Sequence, residues 1–102
     1  MNPNRVVGYD NLGKALMKAR RREEGIQQFQ KAIGLQDDYA EAYFHLGLAY
    51  SEVNRKSEAA VTLEKALSFA KAQGNAELIK RIEGRIDAFR TGKTRNDVPG
   101  GK

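Results

Sequence analysis

Shifted by 34 residues, the chain aligns with itself: residues 6–39 pair without a gap with residues 40–73. Eight of the 34 pairs are identical, including Tyr9/Tyr43, Leu12/Leu46, Gly13/Gly47, Ala15/Ala49 and Ala32/Ala66. Unrelated stretches of that length share about two at ordinary residue usage. Such a period restricts the fold to a stack of like units, none large enough to bury its own apolar face.

Each unit reads as two helices. In the second, Tyr43, Leu46, Ala49, Tyr50 and Val53 recur at spacings of three and four over residues 40–53, the period of an amphipathic helix. Asp38 followed three residues later by Glu41 predicts a capping box at its start. Asn54, which tolerates the left-handed conformation, predicts its end. Ser57 is the expected cap of the next helix, where Ala59, Leu63, Ala66 and Ala70 share a face that stops at Gly74. The first unit repeats this plan with helices near 4–19 and 23–35, and so short a connection makes each pair antiparallel. Glycine inside a helix costs about 1 kcal/mol against alanine. Its recurrence at Gly13 and Gly47 therefore predicts a neighbouring helix in the space a side chain would fill. After residue 73 the repeat stops. Asn75 then opens a stretch with Leu78, Ile79, Ile82, Ile86 and Phe89 on one face and Lys80, Arg81, Glu83, Arg85 and Asp87 on the other. A helix that is polar outside and apolar inside covers the raw end of a stack.

The run of aromatic, Leu-Gly, large residue, Ala, large residue and Ala resembles the tetratricopeptide repeat (TPR) family. The second unit supplies Tyr43, Leu46-Gly47, Tyr50, Ala59, Leu63 and Ala66. The first supplies Tyr9, Leu12-Gly13, Leu16, Gly25, Phe29 and Ala32. Asp37 and Lys71 stand where the family's closing proline is usual, and Gly25 replaces an alanine. The expectation is an all-α, TPR-like helical-hairpin solenoid of two antiparallel pairs plus a C-terminal capping helix. It comprises a single domain over 1–90, with repeats at 6–39 and 40–73 and the cap at 75–90. A disordered basic tail is expected at 91–102.

With no Cys and one His among 102 residues, disulfide frameworks, thiol chemistry and His-rich metal sites are excluded. No cofactor is expected. The paired carboxylates Glu23-Glu24 and Asp37-Asp38 fall at helix starts, where the helix dipole explains them. No Gly-rich phosphate loop is present, and His45 has no partner identifiable from spacing, so the chain does not read as an enzyme. The net charge of +5 is concentrated at the C-terminus, where Arg90, Lys93, Arg95 and Lys102 stand against Asp97 alone. Binding of nucleic acid or an acidic surface through Arg20–Arg22 and that tail is the alternative reading. No aromatic residues are interleaved with these cations. No stretch suits a membrane span and no address signal is present, which leaves the cytoplasm as default.

The residues of the first helices not used in packing form a strip: Val7, Asp10, Asn11, Lys14, Met17 and Lys18 in one unit, Glu41, Phe44, His45, Leu48, Ser51 and Glu52 in the other. By resemblance these strips line a concave groove that holds an extended peptide or a partner's helix. The function implied is a non-catalytic protein–protein interaction scaffold or adaptor. Phe44, Leu48 and Met17 are the expected apolar contacts, with Lys14, His45 and Asp10 orienting polar groups. Some TPR proteins clamp acidic chaperone tails with Lys, Asn and Arg on these strips. Asp10, Lys14, His45 and Ile79 occupy those places here, so that clamp is absent. Two units carry a C-terminal cap but no N-terminal one, which leaves an edge for homo-oligomerisation or for further repeats.

Overall fold

A computed structural model describes residues 3–91, so the expected basic tail lies, apart from Thr91, outside the described residues. Five helices follow in order: α1 (Pro3–Lys18), α2 (Arg22–Leu35), α3 (Ala40–Glu52), α4 (Lys56–Ala72) and α5 (Ala76–Thr91). No strand occurs among the described residues. Each helix packs on the next in sequence, and α1 also touches α3. The molecule is an all-α, TPR-like solenoid.

Three tight turns carry this plan. Arg20, Asn54 and Gly74 each adopt φ 67°. The following amide closes the helix behind it in each case: Arg21 N–H donates to the Leu16 carbonyl at 2.9 Å, Arg55 to Tyr50 at 2.8 Å and Asn75 to Ala70 at 3.0 Å. This is the Schellman arrangement, which satisfies carbonyls that the helix end would otherwise leave unpaired. Asn54 sits in the left-handed region that its side chain tolerates. Arg20, its counterpart one repeat earlier, sits there without that advantage.

The helix starts differ from expectation in two places. Asp38 and Glu41 form no capping box, because the N-cap is Tyr39 and makes no side-chain cap bond. Glu41 instead accepts from the Tyr39 hydroxyl, and Asp38 Oδ1 from Gln36 Nε2, each at 3.3 Å. Ser57 lies inside the first turn of α4, whose N-cap is Arg55. The start is held by a fork: Arg55 Nε and a terminal nitrogen donate to the two oxygens of Glu58 at 2.7 and 3.0 Å. Arg21 and Glu24 repeat this fork at the start of α2. Asn75 does cap α5, its Oδ1 accepting from the Leu78 amide at 3.2 Å.

Small residues set the helix spacing. A Cβ on Gly13 would stand 2.5 Å from the Phe29 ring, and one on Gly47 would stand 2.7 Å from Leu63 Cδ2. Phe29 and Leu63 are themselves one repeat apart, so the same helix-on-helix contact is made twice. Gly25 has its own reason: a Cβ there would meet Met17 Sδ at 2.9 Å and the Gly13 carbonyl oxygen at 3.0 Å. The core runs through the stack in three clusters. Val6, Ala32 and Ala42 lie at the N-terminal end, and Ile26, Phe29, Leu46, Ala49, Tyr50 and Ala59 join the two repeats. Phe44, Leu63, Ala66 and Ala70 meet Leu78, Ile82 and Ile86 of α5.

Candidate functional site

The expected groove strip divides in the structure. Asn11, Lys14 and Glu52 are exposed, while Met17, His45, Leu48 and Ser51 are half-buried. Asp10 and Phe44 are each only 3% exposed, and their expected place among partner contacts is corrected on that ground. Phe44 lies beneath α5 in the third core cluster, with Leu48 packed beside it and the Arg81 guanidinium 5.3 Å from its ring centre. Met17 fills the hollow above Gly25 and joins the cluster of Ile26 and Phe29. Most of the expected apolar lining is thus consumed in packing.

Asp10 is buried because α3 covers it. Its Oδ1 stands 2.8 Å from His45 Nδ1, and the imidazole is flanked by the rings of Phe29 and Phe44 at 5.8 and 5.7 Å. A buried carboxylate is costly unless a hydrogen-bonded partner compensates it, and His45 supplies that partner across the junction between α1 and α3. The pair occupies consecutive repeat positions, 10 and 45, one repeat plus one residue apart. The next junction uses the same places differently: Phe44 is the counterpart of Asp10 and Ile79 that of His45, both within one apolar cluster.

Around the strip, charge is largely neutralised within the chain. Arg22 donates to Glu52 at 3.3 Å, tying the end of α3 to the start of α2. Arg55 approaches Glu23 at 3.9 Å and lies over the Tyr50 ring at 4.8 Å. The Arg21 and Arg55 forks hold the Glu24 and Glu58 carboxyls below the usual range, chiefly through their hydrogen bonds. Two of the three arginines in the 20–22 run therefore already serve carboxylates. Burial, with Glu41 and Asp10 nearby, pushes the Tyr39 hydroxyl up to about 12. Lys14 and Lys18 carry no ion pair among the described residues.

Chemically the arrangement offers surfaces. His45 and Asp10 form a carboxylate–imidazole pair, yet no hydroxyl lies within hydrogen-bond distance of the ring among the described residues. No group of three or more His, Asp or Glu is placed to hold a metal ion among those residues. None of the described helices is long and apolar enough to cross a membrane. Sequence reasoning missed the Arg22–Glu52 tie and the placement of Arg81 over Phe44. Both depend on how neighbouring repeats are rotated, for which the linear sequence carries no local signal.

A family model described as TPR repeat matches residues 13–54, and one described as Tetratricopeptide repeat matches residues 40–73. A peroxisomal targeting signal receptor of Kluyveromyces lactis is 34% identical over 68 residues, covering 67% of this chain and 12% of that protein. A probable UDP-N-acetylglucosamine–peptide N-acetylglucosaminyltransferase SPINDLY of Oryza sativa subsp. japonica is 41% identical over 56 residues, covering 55% of this chain and 6% of that protein. The chain thus spans only a small part of the curated relatives it matches. In fold it is similar to a tetratricopeptide repeat domain protein from Salinibacter ruber. The crystal structure gives a TM-score of 0.78 at 18% identity, covering 91% of this chain and 100% of that one. The solution structure gives 0.80 at 16%, covering 95% and 98%.

Proposed function

The chain belongs to the tetratricopeptide repeat family, and from that premise we propose that it is a non-catalytic interaction module that binds a protein or peptide along α1 and α3. The observation that carries this reading is the asymmetry of α1. One side, through Val6, Asp10 and Gly13, is buried in the stack, while the flank bearing Asn11, Lys14 and Lys18 faces solvent, with both lysines free of ion pairs among the described residues. Leu48 and Ser51 continue that flank onto α3 and remain partly accessible. A row of unpaired cations beside a small apolar spot suits a polypeptide with carboxylate and aliphatic side chains. The Kluyveromyces lactis relative is by its name a receptor for a targeting signal, and a polypeptide ligand is proposed for this chain on similar terms. The exposed face of α1 bearing Gly8 and Leu12 offers a second surface, to another copy of this chain.

Affinity capture from the source lysate tests the groove. Wild type is compared with Lys14→Glu/Lys18→Glu, which reverses the charge without touching the core. Loss of the captured partner with unchanged thermal unfolding supports the reading. Undiminished capture by a folded double variant overturns it.

A further inference from the structure

Starting from that second surface, we infer that two copies of this chain pair through α1 across a two-fold axis, Leu12 of each seated over Gly8 of the other. Arg5, Gly8, Leu12, Ala15 and Ala19 recur at spacings of three and four and all face solvent. Arg5 is the single charged residue among them. A solvent-facing helix side is ordinarily polar; this one is apolar from Gly8 to Ala19, just past the end of α1, about three turns.

Repeat equivalence shows what such a face does when it is covered. One repeat later the same positions hold Ala42, Leu46, Ala49 and Val53. The first three are buried, Leu46 to 5% exposure, against α1 and α2, whereas Leu12 is 47% exposed. The α1 face therefore has the composition of an inter-helix contact that the first repeat leaves unmade.

The shape of the face argues for a second copy as its occupant. Leu12 is exposed, and beside it lies a shallow, open depression lined by Arg5, Gly8, Tyr9 and Leu12. A Cβ built on Gly8 meets nothing within 4 Å. Exposed leucine and depression lie on the same helix, so an antiparallel copy covers the depression and has its own covered in return. That is the self-complementarity an isologous interface requires. In this register Arg5 faces Ala15 of the second copy, which keeps the two arginines apart. The α2-like faces that cover Leu46 within the chain are unavailable to a second copy, because α3 covers α2 and α5 covers α4. Head-to-tail stacking is thereby disfavoured against the two-fold arrangement.

Sedimentation equilibrium of the full chain, taken up to about 1 mM, tests this. The wild type is expected to reach the mass of two chains. Leu12→Glu and Gly8→Met are each expected to weaken pairing by at least about tenfold while keeping helical circular dichroism. Gly8→Met places its Cβ where nothing of its own chain lies within 4 Å and extends over the depression between Arg5, Tyr9 and Leu12, so it decides the matter even if Leu12→Glu is poorly folded. A wild type that stays monomeric throughout overturns self-association and leaves the face to a preceding repeat or another protein. A dimer that survives Gly8→Met overturns the α1 geometry alone. Neither result bears on the Lys14/Lys18 surface, whose own variant leaves this face intact.

Discussion

The ring edge of Phe29 occupies the space a Cβ on Gly13 would need, 2.5 Å from where that atom would stand. Phe29 is fully buried and its ring cannot yield as a flexible chain end would. Gly8, five residues earlier in the same helix, has open space instead. The same substitution at the two positions should therefore act with opposite sign. Gly8→Ala gains about 1 kcal/mol of helix propensity, whereas Gly13→Ala loses roughly 1–3 kcal/mol by overpacking. Chemical denaturation at a dilution that keeps the chain monomeric checks this, and two changes of the same sign would refute the packing role of Gly13. Ala66, fully buried in the second repeat, should respond like Gly13: Ala66→Leu is expected to lower the melting temperature.

Arg20 supplies the second prediction. It holds φ 67° at the α1–α2 turn where Asn54 and Gly74 serve the other two. The left-handed region costs a non-glycine residue roughly 1–2 kcal/mol, and glycine much less. The Arg20 side chain is exposed, so Arg20→Gly should raise stability by about 1 kcal/mol after allowing for the greater freedom of the unfolded chain. Asn54→Ala should lower it by a similar amount. Urea midpoints of the two variants, read at constant slope, measure both.

The pattern of successes across the sequence has a physical basis. The repeat, the helix pairing, the left-handed turn at Asn54, the Asn75 cap and the buried face of α5 are all local or periodic, and each was legible. The capping box at Asp38 was not, because the helix starts two residues beyond it and Tyr39 occupies the cap. Ser57 lost its role because α4 starts one residue before it, with Arg55 at the cap position and forked onto Glu58. Phe44 was misplaced for a different reason: α5 covers it, and the rotation of a capping helix is a tertiary fact. Asp10 is the instructive case. Its repeat counterpart is Phe44, so the burial of either position implies the burial of the other, but a charged residue disguises the equivalence.

That equivalence yields the third prediction. Asp10 and His45 occupy at one junction the places held by Phe44 and Ile79 at the next. Removing one partner, as in Asp10→Ala, strands the other's polar group in a buried site and should cost roughly 1–3 kcal/mol. Replacing both by the apolar pair of the second junction, Asp10→Phe with His45→Ile, removes the stranded group and should recover most of that loss. A double-mutant cycle followed by thermal unfolding reports the coupling. Losses that simply add would show that the 2.8 Å contact contributes nothing to holding α1 on α3.

Tyr39 governs the alkaline limit. Its hydroxyl is pushed from the ordinary value of 10.0 up to about 12, first by burial and then by the Glu41 and Asp10 carboxylates. The folded state thus favours the neutral phenol more strongly than the unfolded state does. That contribution is complete below pH 10 and is lost as pH rises from there toward 12, since unfolding then releases a proton the fold retains. Tyr39→Phe cannot ionise, so the fall in its melting temperature between those limits should be shallower than in the wild type, with Tyr43 and the basic side chains common to both. Ultraviolet titration of phenolate absorbance provides the independent readout, with one late-ionising tyrosine missing in the variant. Parallel melting curves for the two proteins across that range would show that Tyr39 ionises without reference to the fold.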